Sequence, residues 1–258
     1  MPLPSPSDSS TVIVTGASSG IGSELARELA RRGHHVTLVA RRADRLEALA
    51  GELGGAGADV RPCDLQDPEA RAGLVAGLDR DVAGLCNNAG YGDHARLHEA
   101  DLDWLLGMVR LNCEALLHLS GLVLPGMVER GSGAVLNVAS LAALQPLPNM
   151  ATYAATKAFV HALSEAVSAE LQGTGVSVTS LCPGPVHTEF GERAGTGHLE
   201  QSSPELAFVG AEKVARDAVK AMGSGRRVVI PTLKWKATGV FGRHVPRSLL
   251  LPLAGRVR

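Results

Sequence analysis

The stretch TVIVTGASSGIG, Thr11–Gly22, constrains the fold more than any other. A short apolar run rich in β-branched residues reads as a buried strand, and the glycines that follow read as a tight turn. IGSELARELARRG then carries apolar residues at helical spacing, with Gly33 as a stop. Gly16 permits the sharp turn, Gly20 lets the backbone approach a ligand, and Gly22 lets the helix close on the sheet. A helix N-terminus presents unpaired N–H groups and a partial positive charge, which suits a pyrophosphate. Gly16, Ser18, Ser19, Gly20 and Ile21 are therefore candidate dinucleotide contacts, with a purely structural turn as the alternative. Neither Lys-Ser nor Lys-Thr follows the glycines, so this is not a Walker A loop.

The same rhythm continues along the chain. HVTLVA, ADVRPCDL, VAGLCNNAG, GAVLNVAS, VSVTSLCPG and RRVVIPT hold further strands, and amphipathic helical segments separate them. The longest helical regions are expected at about Asp101–Arg130, weakened by Gly107, Gly121 and Pro125, and at about Ala151–Gln172. The strand runs are apolar without clear alternation, as strands covered on both faces are. Strands alternating with helices predict an α/β fold: one doubly wound parallel sheet of about seven strands with helices on both faces. The 258 residues, with 45% apolar content and 30 glycines, suffice for a single large domain of closely packed helices. We expect a disordered leader over 1–10, the domain over 11–232, and a basic, apolar extension over 233–258.

In such sheets ligands sit beyond the carboxyl ends of the strands. The end of strand two reads LVARRADR, with Arg41 and Arg42 where an NAD site usually has an acidic residue. Guanidinium groups suit a ribose 2′-phosphate, so these residues point to NADP(H); a solvated pair at a helix start is the other reading. A net charge of −1 gives no nucleic-acid signature. Cys63, Cys86, Cys113 and Cys182 are scattered without C-x-x-C, which predicts neither a disulfide framework nor a metal site. MPLPSPSDSS lacks the features of a signal peptide, and no stretch approaches the ~20 apolar residues of a membrane span. A cytoplasmic protein with free thiols is the expectation.

MATYAATKAFVHAL places Tyr153 and Lys157 one helical turn apart on one face. An ammonium near a phenol favours the phenolate and lowers the phenol pKa, which would yield a proton donor and acceptor near neutral pH. Taken alone, the pair also reads as a surface tyrosine beside a solvated lysine.

With TGASSGIG, CDL (63–65), NNAG (87–90), LN (111–112), NVAS ending at Ser140, YAATK (153–157) and PGPVHT (183–188) in this order, the chain resembles the short-chain dehydrogenase/reductase family over about Thr11–Thr232. The resemblance implies a Rossmann-type fold and an oxidoreductase acting on CH–OH groups. It implies an adenine contact at Asp64 and Leu65, and a ribose wall at Asn87, Ala89 and Gly90. It implies a clasp on the nicotinamide end by Pro183, Gly184, Val186 and Thr188, NADP preference through Arg41, and a tetrad of Asn112, Ser140, Tyr153 and Lys157. In that tetrad Tyr153 exchanges a proton with the substrate oxygen and Lys157 lowers its pKa and holds the nicotinamide ribose. Ser140 steadies the oxygen, and Asn112 keeps a relay water. Tyr153 and Lys157 thus also touch the cofactor. The family commonly pairs subunits through the two long helices, so a homodimer or homotetramer is expected.

Cys182 and His187 border the nicotinamide end; packing and a solvated loop are their expected roles, with a Cys–His nucleophile as the alternative. Residues 190–205 read as a flexible substrate loop. Leu141, Leu144, Leu147 and Met150 near Ser140 suggest an apolar pocket for a small carbonyl or alcohol substrate, or ordinary core. The segment 226–258 carries eight basic and no acidic residues. It would serve as a lid, a subunit contact or a membrane contact, though Pro246 and Pro252 oppose one long amphipathic helix. The expected activity is NADPH-dependent reduction of a carbonyl. Its rivals are an NADP-dependent steroid, sugar or other alcohol dehydrogenase, and a non-catalytic NADPH sensor.

Overall fold

A computed structural model describes residues 3–54, 57–197, 208–232, 234–237, 248 and 251. Seven strands form one sheet: β1 (Ser10–Thr15), β2 (Val36–Ala40), β3 (Ala58–Pro62), β4 (Asp81–Asn87), β5 (Gly133–Val138), β6 (Val176–Leu181) and β7 (Val228–Val229). Their order is β3-β2-β1-β4-β5-β6-β7, and every pairing is parallel. The helices are α1 (Gly20–Arg31), α2 (Ala43–Leu53), α3 (Pro68–Ala76), α4 (Leu102–Val109), α5 (Leu116–Glu129), α6 (Ala151–Glu170), α7 (Phe190–Arg193) and α8 (Ala211–Gly223).

The continuous apolar strands follow from burial on both faces. Val12, Val14, Val36, Leu38 and Leu136 pack with Leu25, Leu29, Leu46 and Met222 from α1, α2 and α8. Their strand neighbours Ile13, Val39, Leu85 and Val135 point the other way, onto Leu74 of α3 and Leu119, Val123 and Met127 of α5. Successive side chains alternate between faces, so a strand apolar on both must read as an unbroken run. Strand order reverses between β1 and β4, and that switch point is where the glycine turn lies.

Helix α6 is fastened to the sheet by polar contacts as well as apolar ones. Asn87 Nδ2 donates to Ser120 Oγ on α5 at 3.0 Å and to Asn137 Oδ1 on β5 at 2.9 Å. Asn137 Nδ2 donates to Ser164 Oγ on α6 at 2.9 Å. This chain of buried amides and hydroxyls fixes the height of α6 against β4 and β5, because slippage would strand unpaired donors in the interior.

Within the expected leader Leu3 is buried, while residues 5–9 are exposed: a Cβ placed on Gly84 of β4 would lie 3.1 Å from Leu3 Cδ1 and 2.9 Å from Met222 Cε. The bare strand glycine lets Leu3 reach the core, and Ser10 already belongs to β1. One expectation is corrected: residues 102–129 form one helical run, through a π-helical turn over Arg110–Ala115, that is long and apolar enough by length and composition to cross a membrane. Arg110, Asn112 and Glu114 break the apolar run in sequence, which hid this. Leu105, Met108, Leu119, Val123 and Met127 bury its inner face in the protein, while Leu102, Leu106, Val109, Leu117 and Val128 stay exposed.

Leu3→Ala tests the packed leader. It is expected to cost about 2 kcal/mol, the low end for a core leucine. The readout is a lower urea midpoint at unchanged m-value; an unchanged midpoint would show that the contact contributes nothing.

Candidate active site

The turn after β1 is shaped by contacts no other residue type would allow. Gly16 has φ +66°, and a Cβ there would sit 2.8 Å from Asn88 Nδ2. A Cβ on Gly22 would lie 2.2 Å from the Gly16 carbonyl oxygen, so α1 closes on the turn only because that position is bare. Thr15 Oγ1 donates to Cys86 O and accepts from the backbone N–H groups of Asn88 and Ala89 at 2.9 and 3.0 Å, locking the ends of β1 and β4 together. Ser19, the N-cap of α1, makes no side-chain bond to the helix amides. Its hydroxyl instead accepts from Arg42 Nη2 at 3.1 Å. The first amides of α1 therefore remain available to an anion.

Around this turn runs a cavity of 1030 Å³. At one end are Arg41, Arg42, Asp64 and Leu65; in the middle Gly16, Ser18, Ser19, Gly20 and Ile21; and beyond them Ala89 and Gly90. At the far end stand Ser140, Tyr153, Lys157, Pro183, Gly184, Val186 and Thr188. The residue set fits a dinucleotide with a 2′-phosphate: a cationic end, an uncapped helix start over a glycine turn, and a long continuous groove.

Two expected residues lie outside the wall. Asn87 is the last residue of β4 and turns inward to the amide chain described above, so Asn88 takes the place in the wall. Asn112 is buried behind the wall in the π-helical turn. Its Nδ2 donates to Tyr91 O at 3.0 Å and to Thr156 Oγ1 at 3.1 Å, and its Oδ1 accepts from Tyr91 N at 3.2 Å. A Cβ on Gly90 would lie 2.8 Å from Asn112 Oδ1 and 3.6 Å from Lys157 Nζ, so the bare glycine is what lies between the two groups.

Tyr153 and Lys157 are both buried on α6. Lys157 Nζ donates to Val138 O at 2.7 Å and lies 5.9 Å from the Tyr153 ring centre. Burial lowers the Lys157 pKa to about 8. Burial pushes the Tyr153 phenol up to about 12, against a hydrogen bond with Ser140 that favours the phenolate. The expected lowering of the phenol by Lys157 is not what these contacts produce: the ammonium is turned to the β5 carbonyl, and desolvation of the phenolate dominates. Ser140 Oγ also accepts from Ala142 N at 3.1 Å, capping the 3₁₀ turn over Leu141–Leu144, so it serves the strand end and the site together.

Cys182 is fully buried and its thiol is raised to about 11 by burial, which makes it no nucleophile. The histidine near it is His161, whose Nδ1 is 3.7 Å from the sulfur and 2.9 Å from Ser180 Oγ. His187 is exposed but stacks on Phe208 at 4.0 Å, rather than standing free in a loop. No metal-ligating cluster occurs among the described residues.

The substrate end contains residues the sequence did not single out. Phe190 opens α7 and lies 5.4 Å from the Tyr153 ring. Tyr91 and Trp104 pack in the same wall with ring centres 4.4 Å apart and planes tilted by 47°. Trp235, from the C-terminal extension, fills the space beside Gly184, where a Cβ would be 2.5 Å from its Nε1, and that buried N–H has no hydrogen-bond partner among the described residues. No local pattern marks these side chains; they meet only through the fold. The expected flexible loop is a short helix and turn over 190–197, and its remainder, 198–205, lies outside the described residues. So does most of the basic segment 226–258, beyond 226–232, 234–237, 248 and 251.

Gly22→Ala is the sharpest test of the turn. The added methyl must displace the Gly16 carbonyl, at an overpacking cost of about 1–3 kcal/mol. Dinucleotide binding, measured by fluorescence titration, is expected to fall by more than the loss of stability accounts for. Unchanged binding would remove the turn from the site.

A family model described as short chain dehydrogenase matches residues 10–198. Serine 3-dehydrogenase of Rhizobium radiobacter is 38% identical over 216 residues, covering 82% of this chain and 85% of that protein. Sulfoacetaldehyde reductase of Chromohalobacter salexigens is 39% identical over 188 residues, covering 69% of this chain and 73% of that protein. Among solved structures, a short-chain dehydrogenase from Sphingobium yanoikuyae in complex with NADPH superposes with a TM-score of 0.80 at 31% identity, covering 96% of each chain. With the matched segment running from β1 past the nicotinamide-end loop, and with the sheet order and glycine turn described above, this chain belongs to the short-chain dehydrogenase family.

Proposed function

We propose that this protein is an NADP(H)-dependent oxidoreductase that interconverts a carbonyl and a secondary alcohol. The observation that carries this reading is the buried Tyr153 phenol in the cavity wall that Ser140 also lines, one turn from the buried Lys157. Solved relatives bind NADPH, and Arg41 and Arg42 at the end of β2 supply the cations a 2′-phosphate needs.

NADP(H), when bound, supplies or accepts the hydride. Tyr153 gives its proton to the carbonyl oxygen in reduction, or takes one from the alcohol in oxidation. Ser140 Oγ holds the substrate oxygen and steadies developing negative charge. Lys157, seated on Val138 O and 5.9 Å from the Tyr153 ring centre, would hold the ribose of the bound cofactor with its ammonium. Asn112 braces the Tyr91 backbone beside Gly90, the bare residue that lies between it and Lys157.

Leu147, Met150 and Phe190 pack with Tyr153, and Leu141 and Phe208 line the same cavity, which favours a bulky apolar substrate over the small polar ones named for the relatives above. The four free thiols suit work in a reducing cytoplasm. The exposed apolar side chains on α4 and α5, with Phe159 on α6, supply a face for a second copy.

Tyr153→Phe keeps the ring but removes the transferable proton. Turnover of apolar ketones with NADPH, followed by absorbance, is expected to fall by ~10²–10⁴-fold, while NADPH still binds. A folded variant that binds NADPH and works at the wild-type rate sinks the mechanism. Light scattering at micromolar concentration is expected to give the mass of a dimer or tetramer; a monomer mass rules out the proposed pairing face.

A further inference from the structure

Glu189 carries more than its position in the loop requires. It lies between Thr188, whose methyl sits over Gly20, and Phe190, whose ring faces Tyr153. Its carboxylate reaches back across the groove to the cationic end. Oε2 accepts from Arg42 Nη1 at 3.1 Å and from Arg193 Nη2 at 3.0 Å, and Oε1 accepts from Arg45 Nη1. Arg45 first, then Arg42, hold its carboxyl below the ordinary glutamate range.

Arg42 is the shared group. Its Nε and Nη2 donate to Ser18 Oγ at 3.2 and 2.9 Å, Nη2 donates also to Ser19 Oγ at 3.1 Å, and Nη1 goes to Glu189. With Ser18 O also accepting from Nη2 at 3.5 Å, the guanidinium is surrounded by four oxygen acceptors, the arrangement a phosphate would offer it. A serine hydroxyl can turn from acceptor to donor when a phosphate arrives. An ionised carboxylate cannot, and beside a phosphate it is a like charge. Of the four acceptors, only the Glu189 carboxylate carries a charge, so it is the one that must give way.

We propose that Glu189 is a specificity-determining counter-charge, which occupies Arg42 in the free protein and is displaced by the 2′-phosphate of NADP(H). This rests on the reading that Arg42 receives that phosphate. It follows that Glu189 lowers the affinity for 2′-phosphorylated cofactor while leaving NADH alone, since a 2′-hydroxyl has no charge with which to compete. Because Glu189 is joined to Phe190, the exchange at Arg42 also reaches the start of α7, beside the Tyr153 ring.

The test is equilibrium binding to the intact protein, by calorimetry, with NADPH, NADH and adenosine 2′,5′-bisphosphate as probes. Glu189→Gln removes the charge at a partly exposed site and keeps the side-chain shape. It is expected to tighten NADPH and the bisphosphate about three- to tenfold, to leave NADH unchanged, and to lose that gain at 1 M salt. Glu189→Asp, which keeps the charge, should show less than half of the gain on a logarithmic scale. Arg42→Ala separates the two readings: it is expected to weaken NADPH and the bisphosphate far more than NADH. If Arg42→Ala weakens all three probes equally, the assignment of the 2′-phosphate to Arg42 fails. If Arg42→Ala behaves as expected but Glu189→Gln leaves NADPH unchanged, weakens it, or tightens NADH equally, the counter-charge role is overturned.

Discussion

The position of Lys157 against the Val138 carbonyl is the contact on which the site depends. A buried ammonium is costly unless a hydrogen bond receives it, and here the last residue of β5 does so at 2.7 Å. That contact fixes the rotation of α6, and with it the direction of Tyr153 one turn earlier. The chain of Asn87, Asn137 and Ser164 fixes the height of the same helix. Two independent polar restraints, one at the cavity and one in the core, thus hold a single helix whose outer turns are packed by apolar side chains such as Val160. A helix held by apolar contacts alone could slide or roll by small amounts at little cost. One that would leave buried donors unpaired cannot.

The parallel sheet explains why these groups meet the rest of the site. All seven strands run the same way, so all their carboxyl ends open on one edge. The glycine turn after β1, the arginines after β2, Asp64 after β3, Asn88 to Gly90 after β4, Ser140 after β5 and Pro183 after β6 come to that edge from positions far apart in the chain. The groove has a polarity as a result. Its β2 end is cationic, its centre is the open start of α1, and its β5–β6 end is a dry wall around a phenol. Glu189 bridges the two ends, carrying a negative charge from the apolar end to the cationic one. That loop joins the cationic end of the groove to the wall around Tyr153.

Much of this was legible in the residues. Unbroken apolar strands with helices between them dictate a parallel sheet, because only burial on both faces removes alternation, and the glycine spacing places the turn at its start. The residues at strand ends are local neighbours in sequence of the strands that carry them, so their gathering follows from topology alone. What misled was side-chain direction. Asn87 and Asn88 are adjacent, yet one enters the core and the other faces the groove, since successive residues near a strand end alternate. Likewise Y-x-x-x-K places two side chains on one face but does not say which neighbour each will meet. The lysine meets a carbonyl and the phenol meets apolar walls, and desolvation then outweighs their mutual attraction.

The amino-acid sequence by itself determined the sheet, its switch point, the glycine turn and the family, because these rest on periodicity and on residues close together in the chain. The tertiary structure decided the rest. It seated Leu3 in the gap left by Gly84, set Trp235 beside Gly184, and brought Phe190 onto Tyr153. It also turned Glu189 to Arg42 across 147 positions of sequence. Such contacts join segments whose local patterns are ordinary. They arise from the space the packed elements leave and from the charges left facing one another across it, and neither quantity exists until the chain has folded.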